Sequence, residues 1–297
     1  MKPLALRIEA NTLRGTRDGV PRLLDALQRH GAKATFLFTL GPDRSGRDTF
    51  RLPRVKGLSR RRLYGFSTLL YGRFLPAPNI GRKCADTLRS VRDAGHEVGV
   101  QSADRHAWLR HGTQPDAAAS EFAFAQALRS FEELFGAAPR VMGAPDWQIN
   151  RHALRLEQRK GLHYCSDTRG SSPYLPVWQA ELVTCPQLPT TLPTLDELIG
   201  HNSITLANVV EHMLGLTRET TGSGHVFTLR AEIEGGVLLP QFDQLLDGWK
   251  QQGYTLTSLG DYFAALDTDG LPHHEIENQP FVSHRRALAT QGQKFFV

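Results

Sequence analysis

The chain has 297 residues, 40% of them hydrophobic and 8% aromatic, enough to bury one substantial core and to make a single α/β domain without a second. Its formal charge of +5 is concentrated between Arg44 and Arg73, so the basicity is local; that argues against a nucleic-acid surface and suits phosphate groups or an anionic leaflet. No run approaches about eighteen apolar residues, and three cysteines (Cys84, Cys165, Cys185) without CxxC spacing fit a reducing cytoplasm, so neither a membrane span nor a disulfide framework is expected.

Leu4, Leu6 and Ile8 alternate with Ala5, Arg7 and Glu9, which predicts a strand that delivers Glu9 and Asn11 at its C-terminal end. That end is where α/β sites are built. Arg7 and Glu9 also interrupt what would be the apolar part of a leader, so no signal peptide is expected. Thr12 to Gly19 reads as a polar loop carrying Arg14, Arg17 and Asp18, and Val20 to His30 has helical spacing. Ala34 to Leu40 is a second strand, apolar enough to be covered on both faces. Residues 43–80 break the pattern. There Arg60, Arg61 and Arg62 precede Leu63, Tyr64, Phe66, Leu69, Leu70, Tyr71 and Phe74. A basic cluster followed by such residues suits a segment lying in a membrane interface, with Arg60, Arg61, Arg62, Tyr64, Phe66, Leu70 and Phe74 as its contacts. The other reading is a lid packed on the domain.

Gly81 to Ala94 is predicted as a helix capped by Gly95, Glu97 to Gln101 as a strand, and Pro115 to Phe135 as a long helix whose phenylalanines face a core. Strands follow at Arg140 to Ala144, running into Asp146 and Trp147, and at Leu162 to Ser166, running into Asp167 and Arg169. Further strands are read at Glu181 to Leu188, at Val226 to Leu229, which delivers Arg230 and Glu232, and at Tyr254 to Leu256. Helices are read at Leu195 to Ile199, Leu206 to Leu216 and Phe242 to Gln252. About seven strand–helix returns point to a βα barrel over residues 1–270. Residues 271–297 form a polar tail without periodicity, expected loose or draped over the barrel. Cys165 and Cys185 fall on predicted strands as small buried apolar residues.

The segments LALRIEANTLRGTRDGVPRLL (Leu4 to Leu24), GVQSADRHAW (Gly99 to Trp108), CSDTRG (Cys165 to Gly170), LPTLDELIG (Leu192 to Gly200) and FTLRAEIEG (Phe227 to Gly235) together resemble the NodB-homology polysaccharide deacetylases. Within them they resemble the branch that deformylates a lipid-linked amino sugar. The resemblance runs in unbroken order from about Leu6 to about Gly260 and implies an irregular (β/α)7 barrel. It also implies one divalent metal held by an aspartate and two histidines, a second aspartate as general base and a late histidine as general acid. The metal would activate water and polarise the amide carbonyl, the base would take the proton, and the acid would protonate the leaving amine.

This chain departs from that pattern at each of those positions. It has Glu9 and Asn11 in place of the two aspartates, Gln101 and Arg105 in place of the two histidines, and Arg230 in place of the late one. Glu9 keeps a carboxylate. Asn11 and Gln101 offer neutral amide oxygens, poor substitutes for a carboxylate and an imidazole. Arg105 and Arg230 stay protonated and have no lone pair to donate. The expectation is a non-catalytic relative without a bound cofactor, holding a lipid-linked amino sugar or another phosphate-bearing ligand, or partnering an active homologue, peripheral to a membrane. The competing expectation is a metal-dependent deformylase or deacetylase with an atypical site. Zinc or another divalent metal relocated onto Asp104, His106 and His111 belongs to that second reading. The candidate ligand contacts are Arg14, Arg17, Asp146, Trp147, Asp167, Arg169 and Glu232; Asp167 and Arg169 have loop braces as their alternative role, and Trp147 a place in the core. Glu9 is expected to pair with Arg105 or Arg230, leaving surplus positive charge at the mouth for an anion.

Overall fold

The computed structural model describes residues 2–111, 116–219, 222–281, 284 and 286–296, with the side chain of His111 outside the description. Its first strand, β1 (Lys2–Ala10), is the hub. On one face Leu4, Leu6, Ile8 and Ala10 join the main core with the surrounding helices, while Ala5 belongs to a second, inner apolar cluster with Leu37, Val141, Leu188 and Val226. Period-two alternation therefore sends Arg7 and Glu9 into the barrel. Both are completely buried.

The remaining strands are β2 (Thr35–Thr39), β3 (Glu97–Ser102), β4 (Val141–Met142), β5 (Tyr164–Cys165), β6 (Leu175–Trp178), β7 (Glu181–Leu182), β8 (His225–Arg230), β9 (Tyr254–Thr257), β10 (His273–Gln279) and β11 (Leu288–Lys294). A parallel sheet runs β5-β4-β3-β2-β1-β8, with β9 beside the start of β1. Register sets Glu9 beside Leu37 on one side and Arg230 on the other. Among the described residues no strand joins β5 to β8. Residues 187–192 fill the gap as an irregular stave, with Leu188 N–H bonded to Cys165 O at one end and Thr191 and Leu192 N–H to Val226 O at the other. The predicted strand Glu181 to Leu188 thus splits into the short β7 and this stave. Proline at 186 and 189 removes two of the donors a regular ladder needs.

The expected irregular barrel is present, and the differences from sequence are local. Thr12 to Gly19 is helical: a π turn, Gly15–Gly19, feeds directly into the helix Val20–His30. The wide turn brings Gly19 against the β8 loop, where a Cβ would lie 2.0 Å from Ala231 O, so only glycine fits. The predicted helix Gly81 to Ala94 breaks at Cys84 into two. Short helices at Arg105–His111, Arg151–Arg159 and Leu259–Ala264 were not foreseen.

The tail is not loose. β10 and β11 build a second sheet, β11-β10-β6-β7, and β11 docks on the mouth loop, with Arg169 N–H donating to Ala289 O (2.9 Å) and Gln291 N–H to Arg169 O (2.7 Å). Its residues are mostly half-buried and polar, which hides the apolar signal while the backbone supplies the pairing. Residues 43–80 pack over the barrel through Leu52, Val55, Leu63, Tyr64 and Ile80. Tyr64, read above as a membrane contact, is a core residue whose hydroxyl donates to Pro53 O (3.0 Å). Phe66 (61% exposed) and Phe74 (70%) face outward, with Arg61 and Arg73 over their rings. Leu70 is half-buried, and Arg61 and Arg62 are exposed. Among the described residues no helix is long and apolar enough to cross a membrane.

Candidate functional site

The C-terminal ends of β1, β2, β3 and β8 deliver a chain of paired charges to the barrel mouth. Arg7 Nη1 donates to Glu9 Oε1 at 2.5 Å, and its Nη2 reaches Ser166 O at 3.1 Å. Gly143 makes room for that guanidinium, since a Cβ there would stand 2.8 Å from Arg7 Nη2. The other oxygen of Glu9 accepts from Asn11 Nδ2 (3.2 Å) and faces Arg230 Nε at 3.7 Å. Arg230 Nη1 in turn donates to Asp196 Oδ1 at 2.5 Å. Arg105 Nη2 donates to Asp146 Oδ2 at 2.6 Å. The amide oxygens of Asn11 and Gln101 both turn to one hydroxyl, that of Thr39, at 3.1 and 3.4 Å.

Electrostatics follow from this packing. Burial opposes the charge on Arg230, but Asp196, Glu9 and Asp146 outweigh it and push its pKa up. Arg105 behaves alike, with Asp146 as the chief compensating charge. Burial also works against ionisation of Asp146, yet Arg105, Arg230 and His284 hold its carboxyl below the ordinary range. The expected ion pair of Glu9 with Arg230 is present, but the nearer partner is Arg7, and Arg105 has a carboxylate of its own. The substituted positions are therefore charge-balanced.

The surplus positive charge sits higher. A cavity of about 940 Å³ opens above the network, floored by Asp146, Gln148 and Asp196 and walled by Arg51, Arg54, Lys56, Arg60, His201, His284 and Arg286. Among the described residues five permanent cations face two carboxylates there. On its floor Asp146 Oδ1 and Gln148 Oε1 are buried acceptors with no hydrogen-bond partner among the described residues. Such atoms are costly unless something donates to them.

Several residues read as ligand contacts do other work. Trp147 is fully buried, bonded through Nε1 to Thr190 Oγ1 (3.0 Å) and flanked by the guanidinium groups of Arg169 (4.8 Å), Arg7 and Arg230 (both 5.7 Å). It is the hydrophobic plate between arginines rather than a platform for a sugar. Asp167 is also fully buried and braces its loop, accepting from Ala144 N–H (2.6 Å) and Gln187 Nε2 (2.8 Å), with its pKa raised by burial. Arg169 clamps Glu197 (3.0 and 3.1 Å) and Leu192 O, and although burial opposes it, this pairing together with His284 takes the Glu197 pKa down to about 2. Glu232 accepts from the backbone N–H groups of Asn11 and Thr12, both at 2.7 Å, and so fixes the turn after β1. Arg14 and Arg17 lie on the outer surface beside Asp18, lining a small separate pocket with Tyr64 and Phe66. Asp146 alone of that set lines the large cavity.

The relocated-metal set does not assemble. Asp104 caps the helix Arg105–His111 at Ala107 N–H and pairs with Arg44, while His106 Nδ1 is bonded to Asp48 Oδ2 at 2.5 Å; the His111 side chain lies outside the described residues. At the original position the donors are a carboxylate already held by two arginines, two amide oxygens and two cations. Guanidinium groups repel a divalent ion and supply no lone pair, so this set does not fit a hydrolytic metal.

Sequence reasoning missed Asp196, although it lies in LPTLDELIG, and the cations Arg51, Arg54, Lys56 and Arg286, which come from two distant segments. Comparison with known proteins agrees with the architecture. Residues 13–165 match the polysaccharide deacetylase family, and a Shewanella sediminis protein described as a probable 4-deoxy-4-formamido-L-arabinose-phosphoundecaprenol deformylase is 36% identical over 96% of this chain and 95% of its own length. The chain belongs to the polysaccharide deacetylase family. A Wigglesworthia glossinidia brevipalpis relative of the same description is 29% identical over 94% of this chain and 96% of its own. Among solved structures, a probable polysaccharide deacetylase from Pseudomonas aeruginosa superposes with a TM-score of 0.61 at 14% identity, covering 89% of this chain and 90% of that one. A Bacillus anthracis protein described as a CE4 family pseudoenzyme does so at 0.54 and 13%, covering 92% and 69%. At those identities the likeness is one of fold. As a family member the chain is deformylase- and deacetylase-like in sequence and barrel.

Proposed function

We propose that this barrel binds a polyprenyl-phosphate-linked amino sugar, or a ligand of that chemistry, without hydrolysing it. The observation that carries the reading is the interlocked set Arg7–Glu9–Arg230–Asp196 beside Arg105–Asp146, which occupies the position where the family's chemistry resides. None of those three guanidinium groups gives up a proton at neutral pH, so none of them serves as a general acid. Above that floor the cavity offers cations for a phosphate and two unpartnered acceptors for the hydroxyl or ammonium donors of an amino sugar. The relatives' described substrate, a formamido-arabinose on phosphoundecaprenol, carries both a sugar and a phosphate. Phe66 and Phe74, exposed among Arg61, Arg62 and Arg73, suit a peripheral contact with an anionic membrane from which such a lipid would be drawn.

The test is calorimetric titration of the purified chain with a detergent-solubilised polyprenyl-phosphate amino sugar, alongside an assay for released formate or acetate. Binding weakened by Arg54→Gln and Lys56→Gln, with no release, supports the reading. Metal-dependent release of formate would instead make the chain an active hydrolase.

A further inference from the structure

On the flank of the barrel where β5 meets the stave, three side chains converge that take no part in the mouth. Glu157 comes from the helix Arg151–Arg159, Cys165 from β5, and Cys185 from the turn leading into the stave. All three are buried, and one ligating atom of each lies within 4.8 Å of the others. The two sulfurs are 3.8 Å apart. Tetrahedral zinc with bonds of about 2.3 Å to each sulfur holds them roughly 3.8 Å apart, whereas a disulfide requires about 2.05 Å.

A second observation is independent of that spacing. Glu157 is fully buried; among the described residues its Oε1 has no hydrogen-bond partner, its Oε2 accepts a long bond (3.4 Å) from Gln187 Nε2, and its carboxyl also interacts with the Cys165 thiol and the Asp167 carboxyl. A buried acceptor left this way costs about 1–3 kcal/mol unless something fills the place.

We propose that Glu157, Cys165 and Cys185 form a structural site for a thiophilic divalent cation of the zinc class. Two thiolates and a carboxylate are the soft and borderline donors that select such an ion. Ligation requires the two thiols and the carboxyl to give up their protons, so loading weakens as pH falls. The ligands come from three segments, two of which, β5 and the start of the stave, are joined by backbone hydrogen bonds at Cys165 (Cys165 N–H to Pro186 O and Leu188 N–H to Cys165 O, both 2.8 Å). A bound ion would tie the helix Arg151–Arg159 to that junction of β5 and the stave.

Cobalt(II) titration of the reduced full-length chain tests this, followed by zinc displacement. The expected result is one equivalent bound with a near-ultraviolet thiolate-to-cobalt charge-transfer band and the intense visible bands of a tetrahedral site, both lost in Cys165→Ser and in Cys185→Ser and both retained in Gln101→Ala at the mouth. Zinc should raise the melting temperature of the wild-type chain. Absence of cobalt binding, a spectrum without the thiolate band, or a band that survives Cys185→Ser would overturn the proposal. So would a Cys165–Cys185 disulfide found by mass spectrometry in the freshly purified chain, a result that does not depend on any variant folding.

Discussion

Replacing Arg230 by methionine keeps an unbranched apolar stem of similar length and deletes the charge. Arg230 is 2% exposed and bonded to Asp196 at 2.5 Å, with Glu9 at 3.7 Å. Glu9 would retain Arg7 at 2.5 Å and the Asn11 amide, so the loss falls mainly on Asp196, left as a buried anion without that partner. Removing one side of a buried pair costs about 3–5 kcal/mol. At roughly 2–4 °C per kcal/mol for a domain of about this size, the melting temperature should fall by on the order of 10 °C. Calorimetric melting of Arg230→Met and of Arg230→Met with Asp196→Leu reads this directly. The double variant should recover most of the loss, because removing both charges leaves nothing uncompensated. Arg17→Ala, at an exposed pair with Asp18, should change stability by under about 1 kcal/mol. A single variant that loses under about 1 kcal/mol, or a double variant less stable than the single, would refute the pairing argument.

Other outcomes follow from the same geometry. Burial pushes the Glu234 carboxyl from 4.5 up to about 8, so the folded chain favours its neutral form. That contribution is complete below the unfolded pKa and disappears as pH rises through about 8; urea unfolding across pH 5–9 should show it, and Glu234→Gln should flatten that part of the profile. Restoring Glu9→Asp, Asn11→Asp, Gln101→His, Arg105→His and Arg230→His together should create divalent-metal binding at the mouth, since it supplies donors and also frees the carboxylates of Asp146 and Asp196; metal analysis with Cys165→Ser in the background reads this site alone. Phe66→Ser with Phe74→Ser should reduce cosedimentation with anionic vesicles several-fold while leaving melting unchanged, as both rings are exposed.

The framework was legible because the barrel strands carry strong periods. Leu4, Leu6 and Ile8 gave β1 its two faces, and Glu9, Asn11, Gln101, Arg105 and Arg230 do cluster at one mouth. The second sheet was not legible, since HHEIENQ in β10 is half-buried and polar and pairs through its backbone. Trp147, Asp167 and Arg169 sit at strand ends as ligand contacts would, and only their burial and bonds mark them as braces. Arg7 was visible as an inward polar residue, but strand alternation says nothing of which carboxylate it meets. The cavity cations come from residues 51–60 and from Arg286, segments that only the fold brings together.

The central claim is that the charges at the mouth bind and do not hydrolyse. It is tested most directly by incubating the chain, with saturating zinc or cobalt, with a formylated lipid-linked amino sugar and measuring formate. The expected result is no release above the protein-free control, together with retained binding of the same lipid. Metal-dependent formate release abolished by Glu9→Gln would contradict it.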